Sequence, residues 1–288
     1  MLMLNIVIAF IVLVIATVTD LKKREVPDYI SYGLIFVSLT STLLYSIIYS
    51  DYNVLVQSLL GFIIGLIIAF SMFYLGQWGG GDSKLIMGLG AVFGFNVFPL
   101  FGETNYWLLI LLANIILLGA IYGMVWSIFL AIRNRKLFMK KTAELMNKKT
   151  ILWMRRIILA LVIVLLAVTW FLVPGEYKML IIGFIAMFYV VFYIWLFVKI
   201  IEESCMVKSI PVPKLTEGDW IYENVYNNKT LITGPKDLGV SKKQIVTLMG
   251  LYKKKKILSV KIKEGIPFIP AFLLAFIATM ILYYVGIF

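Results

Sequence analysis

Long apolar stretches, broken at wide intervals by short charged clusters, dominate the chain. Cutting it at its charged residues leaves eight uncharged runs: 1–19, 29–50, 52–81, 85–102, 104–132, 157–175, 179–198 and 265–288. A hydrocarbon core ~30 Å thick is crossed by roughly 20 helical residues, or about 17–25 with tilt, so each run is long enough to span. The pattern predicts an all-α polytopic membrane protein of about eight transmembrane helices, with a small cytoplasmic polar segment, 199–264, before the last helix. The run 85–102 is the weakest, because Gly88, Gly90, Gly94, Asn96 and Pro99 interrupt it. It is expected to span or, alternatively, to be re-entrant or shielded inside the bundle.

Composition supports lipid as the solvent. The 288 residues are 62% hydrophobic with a mean hydropathy of +0.97, where soluble domains hold about 45–50% apolar residues. Charge then orients the helices. With the N-terminus outside, the loops 20–28, 82–84, 133–156 and 199–264 share one side and hold 26 of the 27 Lys and Arg residues, leaving only Lys178 opposite. Basic loops stay in the cytoplasm, so both termini are expected outside, in a plasma-membrane protein with a basic cytoplasmic face. The first helix has no basic n-region and is followed by Lys22, Lys23 and Arg24, so it is expected to be retained rather than cleaved as a signal peptide. The net charge of +12 flanks membrane segments throughout, which points to anionic lipid as its partner and away from nucleic acid.

Within the polar segment, Trp220 to Thr233 alternates around Asn227-Asn228-Lys229, the pattern of a small hairpin. Ser241 is placed to cap a short amphipathic helix running to about Tyr252. The run Lys253–Lys256 is expected to anchor at the interface. Asn228-Lys229-Thr230 fits the N-glycosylation pattern, but its expected cytoplasmic location makes that a chance match.

With no histidine and a single cysteine, Cys205, the chain lacks a Ser-His or Cys-His dyad, a Cys/His zinc site and an intramolecular disulfide. No metal or cofactor is expected. Chemistry must come from carboxylates, hydroxyls or lysines, and acids near a membrane are costly enough to demand a reason. Of the 15 acidic residues, seven lie in the polar segment and most others in solvated turns or charge clusters. Asp20, Asp28 and Asp82 remain.

Asp20 follows 19 uncharged residues, and Asp82 follows Gly79-Gly80-Gly81 ahead of helix four. The topology therefore puts both carboxylates at one depth on the cytoplasmic side. Three glycines permit positive φ angles and close approach of another backbone, and the surplus residues 76–81 of a 30-residue run can form a loop at the interface. Two neighbouring carboxylates share a proton; the ionised one can activate water while the protonated one polarises a carbonyl. The same residues also fit plainer roles, Asp20 as an interfacial partner of Lys22, Lys23 or Arg24 and Asp82 as a turn former or helix cap.

The motifs carry a resemblance. Gly79-Gly80-Gly81-Asp82 matches the GxGD motif of membrane aspartyl peptidases, and GGGDSKLIMGLGA resembles the second catalytic segment of the archaeal type IV prepilin and preflagellin peptidases. TDLKKREVPD at the end of the first helix and KEGIPFIPAF at the start of the last are similar to segments of the same family in the same order. The resemblance implies that Asp20 and Asp82 are catalytic, that Gly79, Gly80 and Gly81 shape the loop, and that Asp28 and Lys84 are second-tier residues. It also implies a substrate class, pilin-like or archaellin-like precursors with a short basic leader cut at the cytoplasmic face. Pro267 and Pro270 are expected to fix the entry of the last helix. The cysteine-rich methyltransferase region of bifunctional bacterial prepilin peptidases is missing, so N-methylation is not expected; and the resembled preflagellin peptidases have about six helices where this chain reads as eight, which favours pilin-like precursors. The expected organisation is a catalytic membrane core over 1–132, a basic loop over 133–156, added helices over 157–198, the polar segment 199–264 and the last helix 265–288. Two other classes remain: a proton-coupled transporter, against which the uncharged midplanes and lack of a repeat speak, and an assembly scaffold, which leaves the glycine run unexplained.

Overall fold

A computed structural model describes residues 2–97, 104–227 and 230–286. The chain forms two compact units, residues 1–125 with 265–288, and residues 126–264.

The first unit is built from α1 (Leu2–Lys23), α2 (Asp28–Tyr49), α3 (Tyr52–Tyr74), α4 (Gly80–Phe93), most of α5 (Trp107–Arg133) and α10 (Ile269–Val285). The charged clusters of the sequence mark the helix ends. α1 stops where Arg24 turns to φ 57°, and α2 starts after Pro27 with Asp28 in its first turn, where a carboxylate meets the positive end of the helix dipole. Asp51 caps α3 by accepting the N–H of Asn53 at 3.2 Å.

α4 lies inside this unit, with Leu85, Ile86, Leu89, Val92 and Phe93 buried in a core shared with α1, α2, α5 and α10. Its 14 residues rise about 21 Å, short of a ~30 Å span. Of the glycines that weaken the run 85–102, Gly90 faces Gly61 and Gly65 of α3, while Gly88 packs on Leu34 of α2. A Cβ on Gly61 would lie 2.1 Å from the Gly90 carbonyl oxygen, and one on Gly65 2.7 Å from that of Ile86. Ser58 adds a hydrogen bond to the Ala91 carbonyl at 2.7 Å. Gly94, at φ 65°, ends the helix, and the backbones of Asn96 and Asn105 pair to close the connection to α5.

The second unit holds α6 (Arg135–Met146), α7 (Lys149–Leu172), α8 (Gly175–Ile201) and a small α/β module. Residues 133–156, expected as a loop, are therefore largely helical. Leu145 turns inward to pack with Ile151, Leu196 and Ile200, giving α6 the apolar stripe a helix needs. In the module, β5 (Ser259–Lys263) pairs antiparallel with β1 (Val207–Pro211) and β2 (Trp220–Ile221), while β3 (Val225–Asn227) pairs with β4 (Thr230–Thr233). The expected hairpin is thus shorter than Trp220–Thr233, because β2 joins the other sheet, where Ile221 is buried with Val212, Val260 and Ile262. Asn228 and Lys229 lie outside the described residues. α9 (Lys242–Lys253) starts at Ser241 as expected, Ser241 and Gln244 forming a capping box. Lys253–Lys256 is followed by β5 rather than directly by the last helix.

Six described helices, α1, α2, α3, α5, α7 and α8, are long and apolar enough to cross a membrane. The other two of the eight runs give α4 and the 17-residue α10. The protein is an all-α polytopic membrane protein apart from its small strand-bearing module.

Candidate active site

Asp20 sits in the last turn of α1 and is 6% exposed. A carboxylate so buried requires hydrogen-bond partners, and Asp20 finds them far along the chain. Its Oδ2 accepts the N–H of Ile269 at 3.0 Å, with the Phe268 N–H also directed at the carboxylate. These are first-turn amides of α10, which have no acceptor within their own helix. Asp20 therefore caps α10. Arg24, one turn further on, donates its backbone N–H to the Asp20 carbonyl at 2.8 Å and its guanidinium to the carbonyl of Gly265. Arg24 and the Tyr122 phenol on α5 both lie within electrostatic reach of the Asp20 carboxylate.

Asp82 is the third residue of α4, and its Oδ2 accepts the N–H of Gly79, the residue that caps the helix, at 3.2 Å. The Gly79–Asp82 motif is thus the opening turn of α4, not a loop ahead of it. Gly79 has φ −71° and ψ 167°, and the positive φ expected in this glycine run falls on Gly76, at 67°. Gly81 is the glycine whose missing side chain matters most for packing: a Cβ there would meet the Val26 Cβ at 3.0 Å, whereas Gly79 and Gly80 have room. Burial, reinforced by the nearby charge of Asp20, pushes the Asp82 carboxyl up to about 7, against a smaller opposing effect of the Gly79 N–H. The structure thus brings the two carboxylates, from different helices, within each other's field.

Asp28 and Lys84 pair with each other at 2.6 Å, and Lys84 also lies 5.0 Å over the Tyr32 ring. They join the start of α2 to the first turns of α4, so their observed contacts are structural. Among the described residues no group of three or more His, Cys, Asp or Glu side chains is arranged to hold a metal ion.

A helix-end aspartate followed by a basic stretch, a second aspartate opening a short glycine-rich helix, and their convergence in one unit lie within a stretch that matches a known family. Residues 7–124 match the model of the type IV leader peptidase family. The chain is similar to the preflagellin peptidase of Methanocaldococcus jannaschii, 43% identical over 90 residues, which is 31% of this chain and 38% of that protein. It is also similar to those of Methanococcus maripaludis, 39% identical over 90 residues (31% and 39%), and Methanococcus voltae, 36% over 93 residues (32% and 40%). The match covers about two fifths of each relative's length. The residues matched by the family model, 7–124, contain both aspartates and stop short of α10. The amides of Phe268 and Ile269, which touch Asp20, were not among the site residues expected from sequence. The signal was present in KEGIPFIPAF, where prolines fix a helix start, but a pairing across 249 positions is visible only in three dimensions.

Proposed function

We propose that the chain is a membrane aspartyl endopeptidase that removes the short basic leader of pilin-like or archaellin-like precursors at the cytoplasmic face, with Asp20 and Asp82 as its catalytic pair. The observation that carries this reading is the Asp82 carboxyl, raised to about 7 by burial and by the charge of Asp20, within a leader-peptidase region. Two carboxylates that perturb one another divide into an acid and a base. Asp82 serves as the acid. Asp20 takes a proton from water, and the water oxygen attacks the scissile carbonyl carbon while Asp82 donates its proton to the carbonyl oxygen. The resulting gem-diol collapses as one hydroxyl proton returns to Asp82, the C–N bond breaks, and the leaving amine takes up the proton held by Asp20.

Gly81 lets the opening turn of α4 lie close to Val26 and Gly79 caps that turn, with Gly80 completing the glycine run, and Asp28 and Lys84 steady it. The cytoplasmic side bears the exposed cations Arg135, Lys136 and Lys140 of α6, whose partner is anionic lipid. The decisive experiment is cleavage of a basic-leader precursor in membranes containing wild type, Asp20→Asn or Asp82→Asn at equal expression. Loss of cleavage in both variants is expected. Near-normal cutting by either one removes the assignment, and a wild type that cuts no such precursor returns the transporter reading.

A further inference from the structure

α10 lies outside the matched residues 7–124, yet it supplies the hydrogen bond recorded for the Asp20 carboxylate, with Ile269 N–H donating to Oδ2 at 3.0 Å. The stretch leading into it is held at several points. Arg24 binds the Gly265 carbonyl. The Phe268 ring fills a notch on α5, since a Cβ on Gly119 would come within 2.6 Å of the ring's Cζ. That ring packs edge-on against Phe272 at 5.6 Å, and Phe272 packs edge-on against Trp78 at 5.5 Å. Trp78 adjoins Gly79, whose N–H binds Asp82. One chain of contacts thus runs from the amide under Asp20 to the cap under Asp82.

We propose that Gly265–Ile269 is a positioning segment of the site, in which the Ile269 amide holds Oδ2 of Asp20 and the Phe268 amide adds a second donor to the same carboxylate, fixing its rotamer toward the reacting water. The notch at Gly119 and the Phe268–Phe272–Trp78 packing fix that segment relative to α4. This rests on the peptidase reading for its catalytic meaning but not for its physical test. Pointing backbone donors at a carboxylate favours its charged form and fixes its rotamer, and a helix N-terminus provides such donors without spending a side chain. A carboxylate on a flexible side chain would otherwise sample orientations that face away from Asp82, which costs rate through lost alignment.

The test replaces Ile269 by its α-hydroxy acid in the full-length protein, exchanging the N–H for an ester oxygen while keeping the side chain. The infrared carboxyl band of Asp20, assigned by difference against Asp20→Asn, is then titrated. The groups facing Asp20 are Asp82 on α4, Arg24 on α1 and Tyr122 on α5, and all three are unchanged by the ester. Loss of a donor to a charged group is expected to move the Asp20 midpoint up by about one pH unit, with a similar shift of the acidic limb of kcat/KM. The same exchange at Ala271, whose N–H binds the Phe268 carbonyl at 3.0 Å, weakens the same helix turn without touching Asp20 and leaves the midpoint in place. As a second route, Gly119→Val fills the notch and is expected to lower kcat at least tenfold with little change in KM, with recovery in Gly119→Val/Phe268→Leu. An Asp20 midpoint unmoved by the Ile269 ester overturns the proposal. A shifted midpoint alongside an active Asp20→Asn keeps the contact and removes the catalytic role of Asp20, whereas a shifted midpoint in a wild type that cuts no precursor keeps the contact and removes the peptidase reading.

Discussion

Replacing Gly61 by alanine tests whether the seam between α3 and α4 sets the site. The added Cβ would lie 2.1 Å from the Gly90 carbonyl oxygen and 2.7 Å from the Gly94 Cα. A carbon–oxygen contact needs ~3.3 Å, so the two helices must separate locally by about 1 Å. Both obstacles are backbone, so no side-chain rotation relieves them. Overpacking of this kind costs about 1–3 kcal/mol. The separation also displaces α4, which carries Asp82 in its first turn, and a misplacement of about 1 Å in a reacting group costs on the order of 100-fold in rate. The assay pairs thermal unfolding of the detergent-solubilised protein with single-turnover cleavage of a precursor. Gly33→Ala serves as control, because its Cβ meets nothing within 4 Å. A Gly61→Ala protein with wild-type melting and wild-type cleavage would falsify the claim that this seam positions Asp82.

Four further outcomes follow from the site. The Asp82 carboxyl is raised from 3.8 to about 7, so its contribution to stability is full below about 4 and is lost as pH rises through 7; the melting temperature of Asp82→Asn should therefore gain on wild type across that window and hold a constant lead above it. With Asp82 as the protonated partner, kcat/KM of wild type should fall as pH rises through about 7, and a flat profile from pH 6 to 8 would contradict its role as acid. Gly81→Ala, with its Cβ at 3.0 Å from that of Val26, should reduce cleavage markedly while Gly80→Ala, whose nearest neighbour is 4.0 Å away, leaves it near wild type; equal effects at the two positions would mean the glycines act through backbone freedom instead. Lys84→Gln, which breaks the ion pair with the 67%-exposed Asp28, should cost at most ~1 kcal/mol, and loss of all cleavage without loss of stability would give Lys84 a role in the chemistry.

The sequence by itself determined the membrane character of the chain and most of its spans, because lipid solvent demands uninterrupted apolar runs and leaves that demand in plain composition. It also determined which acids merit attention, since so few charges interrupt the apolar runs. Local signals held where the physics is local: Ser241 caps α9 as its hydroxyl and Gln244 dictate. Where two distant segments compete or cooperate, the sequence was silent. Trp220–Ile221 alternates like a hairpin strand but pairs with β5, since burial of Ile221 against Val260 and Ile262 outweighs a local turn. The run 85–102 shows glycines but not that Gly90 faces Gly61 and Gly65 while Gly88 packs on Leu34, contacts that let α4 sit as a short helix within the core of its unit. Only the tertiary structure decided that Asp20 caps α10 and that its charge bears on Asp82, because a buried carboxylate is satisfied by whichever donors the fold brings to it, and here those donors lie some 250 positions away.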